Sequence, residues 1–211
     1  MTLVNMKIKS FVFLFIMAGL LVSCSESKTV KNAAPEVKKS TAPVADSEVA
    51  VIEMENAAAF GTIRIELYSN IAPKMVARFK ELAREGVYDG TTFHRLNQSV
   101  IQGGDPNSKD DDPGNDGQGG SQKPNVIAEF SDIPYDTGIV GAARSQDFNS
   151  ANSQFFITLK REPAFDNKYT IFGKVIEGMN NVRTISGVEP KEIERPVEAV
   201  RIKTITIQPG R

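Results

Sequence analysis

Few residues in this chain can do chemistry by themselves. The 211 residues include one histidine, His94, and one cysteine, Cys24. That excludes a disulfide within the chain and any zinc site built from Cys and His. A Ser-His-Asp or Cys-His nucleophile would have to run through His94 alone. His94 is followed by Arg95, whose guanidinium stays charged and presents N–H donors in a rigid plane. Taken alone, an arginine in a strand is a surface ion-pair partner. His94 points to the opposite face, as successive strand residues do, and reads as a packing residue rather than an acid or base. Asp110, Asp111, Asp112 and Asp116 invite a calcium reading, but they lack the alternating acids and terminal Glu of an EF-hand loop. No metal site is assigned, and Pro106 to Pro124, dense in Asp, Gly, Asn and Ser, reads as a solvated surface loop.

Three longer runs carry more information than any single residue. The first is Tyr88 to Asp105, containing Phe93-His94-Arg95 and Gln102-Gly103-Gly104-Asp105. The second is Gly138 to Ile157, containing Gly141-Ala142-Ala143-Arg144-Ser145 and Gln154-Phe155-Phe156-Ile157. The third is Phe165 to Met179, containing Phe165-Asp166-Asn167-Lys168-Tyr169. A tripeptide such as Phe-His-Arg is weak alone; three runs in this order and separation are not. Together they resemble the cyclophilin family of peptidyl-prolyl cis-trans isomerases, over about residues 50 to 208.

The resemblance implies a mainly β fold: a closed eight-stranded antiparallel barrel capped by two α-helices, with a peptide groove on its outside. It places the catalytic pair on Arg95 and Gln102. Val100, Ala143, Gln154, Phe156, Phe165 and Tyr169 become substrate-binding residues, and His94 a supporting one. It implies no cofactor. The chemistry agrees with that set. Rotation about an Xaa-Pro bond breaks amide resonance, a barrier of about 18–20 kcal/mol for peptide bonds generally. In the twisted state the nitrogen becomes pyramidal and gains a lone pair. A donor fixed against that lone pair binds the twisted form better than either planar isomer. Such catalysis needs no nucleophile, metal or cofactor.

The chain also departs from the family. Leu96 to Ile101 is one residue short, and a Pro-Gly-Phe-Met piece that helps form the proline pocket is missing. Val100 takes the Met position and Ser99 the Phe position. Phe148 stands where bacterial relatives commonly carry Pro. Ala164 replaces a Trp found in some members, and Tyr169 a His found in others. A cyclophilin-like module or chaperone that grips proline segments with little turnover is therefore the alternative to an active isomerase.

The elements that must position these residues are legible from periodicity. Ile63, Ile65 and Leu67 alternate with Arg64 and Glu66 in a half-buried strand, with Ala50 to Met54 as its partner. Met75, Val76, Phe79, Leu82 and Ala83 share one face of a helix from Pro73 to Gly86. Short strands are expected at Thr92–Leu96, Val100–Gly103, Ile139–Ala142, Gln154–Leu159 and Tyr169–Val175. A second helix is expected at about Met179–Ser186. The last strand, Val200–Gln208, changes its apolar parity between Ile202 and Ile205, which predicts a β-bulge.

Composition is globular, with 40% apolar and 24% charged residues. The N-terminus differs. Lys7 and Lys9 precede an uncharged run from Phe11 to Val22, too short at 1.5 Å per residue to span a bilayer. Leu21-Val22-Ser23-Cys24 resembles the bacterial lipoprotein signal, in which the Cys becomes the lipidated N-terminus. Residues 1–23 are thus read as a signal peptide, and 24–48 as the lipidated Cys24 and a flexible tether. Residues 49–211 are expected, on the resemblance, to form a cyclophilin-like isomerase domain. Loss of Lys7 and Lys9 takes the net charge from −1 to −3, which gives no support for a nucleic-acid partner. The expected partners are proline-containing polypeptides and a membrane held through Cys24. The expected state is a monomer, lipid-anchored in the bacterial cell envelope outside the cytoplasm.

Overall fold

A computed structural model describes residues 34–192 and 194–210. The signal segment and Cys24 lie outside the described residues. The strands are β1 (Val37–Lys38), β2 (Glu48–Met54), β3 (Thr62–Leu67), β4 (Arg95–Leu96), β5 (Val100–Gly103), β6 (Phe130–Ser131) and β7 (Ile139–Ala142). They continue with β8 (Phe155–Thr158), β9 (Ile171–Glu177), β10 (Pro190–Glu192), β11 (Arg195–Pro196) and β12 (Ile202–Pro209). The helices are α1 (Ala57–Phe60), α2 (Pro73–Arg84) and α3 (Met179–Ser186).

Eight strands form one antiparallel sheet in the order β12-β2-β3-β9-β7-β8-β5-β4. The expected closed barrel is corrected here: the ladder is open, with β12 and β4 as its edges. The edges approach at one isolated bridge, Thr92 to Arg201. Backbone bonds from Phe93 N to Val200 O (2.9 Å) and from Ile202 N to Thr91 O (2.7 Å) flank it. The ladder stops there because β4 is otherwise engaged. Leu96 N donates to Glu194 O at 2.6 Å, in the hairpin of β10 and β11, rather than to β12.

The sheet's inner face holds the main core. Phe79 and Tyr88 meet Phe155 at centroid distances of 5.5 and 5.8 Å, and Phe93 meets it at 6.1 Å. All four rings are fully buried. Helix α2 contributes the five residues anticipated from its periodicity, Met75, Val76, Phe79, Leu82 and Ala83. Pro73 occupies its first turn, and no side chain caps it from the preceding residue. Glu129 does so from a distance, accepting from Lys74 N at 3.1 Å and Met75 N at 3.0 Å. A carboxylate there satisfies orphan N–H groups at the positive end of the helix dipole. The expected β-bulge appears as a register shift between Ile202 and Thr204.

The tether expected up to Glu48 is corrected in its second half. Val37 and Lys38 pair in parallel with Phe130 and Ser131. Lys38 Nζ donates to Ile71 O at 2.7 Å, and Val44 N donates to Asn70 Oδ1 at 3.0 Å. Asp46 accepts from Ser69 Oγ at 2.7 Å and pairs with Lys80 Nζ at 2.6 Å. Burial would raise the Asp46 carboxyl, but the hydrogen bonds from Lys80 and Ser69 hold it below its ordinary value. A polar segment without apolar period reads as coil, yet here its polar groups find fixed partners.

Candidate functional site

A groove of about 300 Å³ opens on the outer face of the sheet. Its position follows from register. Gln102 on β5 lies opposite Arg95 on β4 and Phe156 on β8, so all three side chains share one face. Phe155, one residue earlier, faces inward. Gly141 on β7 lies opposite Phe156, and it must be glycine. A Cβ there would sit 2.4 Å from Phe156 Cζ and 2.7 Å from the Tyr135 hydroxyl.

One side of the groove is polar. Arg95 Nη1 donates to Gln102 Oε1 at 3.3 Å. Gln102 Nε2 donates to Gln154 Oε1 at 2.9 Å, and Gln154 Nε2 to Gly119 O at 2.8 Å. The other side is apolar. Phe156 stacks on Tyr135 (5.8 Å between centroids) and meets Phe165 and Tyr169 edge-on at 5.5 and 5.6 Å. Val100 packs in the same cluster. Tyr135 is fully buried and its phenol is pushed up by that burial, so it stays neutral. Such an arrangement can hold an apolar ring against Phe156 while amide and guanidinium donors face the polar chain beside it.

Arg95, Val100, Gln102, Ala143, Gln154, Phe156, Phe165 and Tyr169 all line this one groove. His94 does not. It is 6% exposed, and neither ring nitrogen has a hydrogen-bond partner among the described residues. Burial pushes its pKa below the ordinary 6.5, against the opposing charge of Asp105, so the ring is neutral at pH 7. It packs under Gly117, on the loop that delivers Gly119 to the groove.

That loop is the exposed surface segment expected from Pro106 to Pro124, and its second half also borders the groove. Gly117, Gln118 and Gly119 line the groove. Asp105 is fully buried and accepts from Asn107 N at 2.9 Å and Gly119 N at 3.0 Å, which clamps the loop down. Arg144 was also not anticipated as a lining residue. Its guanidinium lies 4.6 Å from the Tyr169 ring centroid and 4.8 Å from that of Phe148, tied to Lys168 O at 2.8 Å. The signals were present: an arginine directly after Ala143, and small residues where a loop must approach a groove closely.

The family described as cyclophilin type peptidyl-prolyl cis-trans isomerase matches residues 51–207. The chain belongs to the cyclophilin family. It is an isomerase of the peptidyl-prolyl type. A probable peptidyl-prolyl cis-trans isomerase of Brucella suis is 41% identical over 170 residues, covering 76% of this chain and 85% of that protein. The peptidyl-prolyl cis-trans isomerase ppi1 of Schizosaccharomyces pombe is 38% identical over 150 residues, covering 67% and 90%. Among solved structures, a Cryptosporidium parvum cyclophilin determined in the presence of the dipeptide Ala-Pro superposes with a TM-score of 0.68. That pair is 29% identical, covering 77% of this chain and 99% of that one.

Proposed function

We propose that this cyclophilin accelerates Xaa-Pro isomerisation by donating a hydrogen bond from Arg95 to the prolyl nitrogen of the twisted transition state. The observation that carries this reading is the juxtaposition of Arg95, Gln102 and Gln154 with the apolar wall of Val100, Phe156, Phe165 and Tyr169 in one groove. The proline ring rests against Phe156. The Gln102 amide, oriented by its bond to Gln154, holds the neighbouring carbonyl. Arg95 then meets a lone pair that exists only when the amide is twisted, so its bond stabilises the transition state selectively.

The segment from Asn97 to Val100 supports a second reading, a proline-binding module with little turnover. It is a compact turn in which Asn97 Oδ1 accepts from Ser99 N and Val100 N, both at 2.8 Å, and it puts only Val100 into the groove. NMR exchange between cis and trans forms of an Ala-Pro-Phe peptide separates the two. Catalysed exchange that falls at least about 10-fold in a folded Arg95→Ala variant supports the isomerase mechanism. Peptide shifts without accelerated exchange support the binding module instead.

The clients we propose are exported proteins, met by a domain held in the cell envelope through lipid on Cys24. Cys24→Ser should release the protein from the membrane fraction of its host. Continued membrane association would place the anchor elsewhere.

A further inference from the structure

We infer that Glu194 is a positioning residue that sets the plane of the Arg95 guanidinium, an inference that rests on Arg95 being the donor. The Arg95 side chain is 45% exposed, and its one contact on the groove side, to Gln102, is long at 3.3 Å. A long, exposed arginine with one weak contact samples many rotamers, and a catalytic donor cannot. Glu194 supplies the missing constraint. Its Oε2 accepts from Arg95 Nε at 2.5 Å, a charge-assisted bond on the edge away from Gln102. Its Oε1 accepts from Asn97 Nδ2 at 2.9 Å, and its backbone carbonyl accepts from Leu96 N at 2.6 Å. The carboxylate is thus locked to both β4 and the turn that follows. With Nε and Nη1 engaged, the remaining N–H donors of the fork stay uncommitted among the described residues.

Two further observations favour a side-chain role. Glu194 has φ +66°, a left-handed conformation that favours glycine or asparagine, yet a glutamate stands there. Asn97, its second partner, is the residue that also closes the compact turn ahead of Val100. The hairpin of β10 and β11 therefore ties the donor and the floor of the proline pocket to one carboxylate. Arg95, in turn, holds the Glu194 carboxyl below its ordinary value, so the acid is charged at neutral pH.

The test compares Glu194→Ala, Glu194→Gln, Arg95→Ala and the double variant Glu194→Ala/Arg95→Ala in the peptide exchange assay. Side-chain NMR of the Arg95 Nε–Hε group is recorded alongside. In the parent protein that proton should be protected from water exchange. In Glu194→Ala the protection should vanish and kcat/KM should fall about 10-fold, the cost of one hydrogen bond to a charged group. Peptide Kd should stay within about 2-fold, because ground-state binding does not use the donor. Glu194→Gln keeps a neutral acceptor and should recover to within about 3-fold of the parent. The double variant should be no worse than Arg95→Ala. An inactive Arg95→Ala beside a Glu194→Ala with parental turnover would overturn the role of Glu194 and leave that of Arg95 standing. Parental turnover in Arg95→Ala would overturn both. An unprotected Nε–Hε in the parent protein overturns the inference whether or not any variant folds.

Discussion

Two aromatic clusters share strand β8 and face opposite ways. Phe155 points into the sheet, where Phe79, Tyr88 and Phe93 surround it with apolar atoms and no opening to solvent. Phe156 points outward onto Tyr135, Phe165 and Tyr169, and its cluster ends at the groove and a row of polar side chains. Both rings are nearly or fully buried. Burial therefore does not separate the structural ring from the one at the site; what lies on the far side of each ring does. The inner ring touches only core. The outer ring is backed by core and faces the place where a substrate ring would sit.

Substitutions can break this contrast. Phe155→Ala should have the largest effect, destabilising by about 3–5 kcal/mol because the closed core cannot collapse around the cavity. Urea unfolding measures this, and the fraction still folded should keep its kcat/KM. Phe156→Ala should destabilise by less than the roughly 3 kcal/mol expected of an enclosed ring, because the groove side is open. It should instead raise KM about 10-fold, the loss of one apolar contact face. Parental KM in that variant would remove Phe156 from the binding wall. Gly141→Ala forces a Cβ into Phe156 and Tyr135. It should cost about 1–3 kcal/mol by overpacking and weaken peptide binding, while leaving the inner ring cluster unchanged in aromatic NMR shifts.

The smallest effect sharpens the contrast at the periphery. Asp46→Ala removes the partner of Lys80 and Ser69 and should cost less than about 1 kcal/mol, since the pair is partly open to water. The Asp46 carboxyl lies below its ordinary 3.8 when folded, so the unfolded chain binds the proton more tightly. Its contribution is complete above pH 3.8 and is lost as pH falls through the lower folded value. Urea unfolding of parent and variant should therefore converge in acid. An undiminished difference there would mean that Asp46 acts through packing rather than charge.

Much of the architecture was legible in residue types alone. Helix α3 spans Met179–Ser186 as expected, and β5 and β7 have the anticipated limits. The face of α2 and the bulge of β12 followed from apolar parity. The groove residues came from motif resemblance, and the structure brings all but His94 to one cavity. Four short strands were missed because two or three residues cannot display a period: β1 and β6 exist through their mutual pairing, and β10 and β11 through theirs. The expected strand Thr92–Leu96 shrank to β4 because its first residues meet Val200 and Arg201 through isolated bonds rather than a ladder.

The sequence by itself determined which residues face in and which face out, because periods of 2 and 3.6 are properties of local backbone geometry. It also determined the chemistry available, since one His, one Cys and a well-placed Arg leave few mechanisms open. Tertiary structure decided the rest. It left the sheet open at the β4 edge, laid residues 37–46 on the domain, and brought the Gly117–Gly119 loop to the groove. It also brought Glu194 to Arg95 across 99 positions of chain. Each of these is a contact between distant segments whose geometry depends on every turn between them, and so it leaves no periodic trace along the chain.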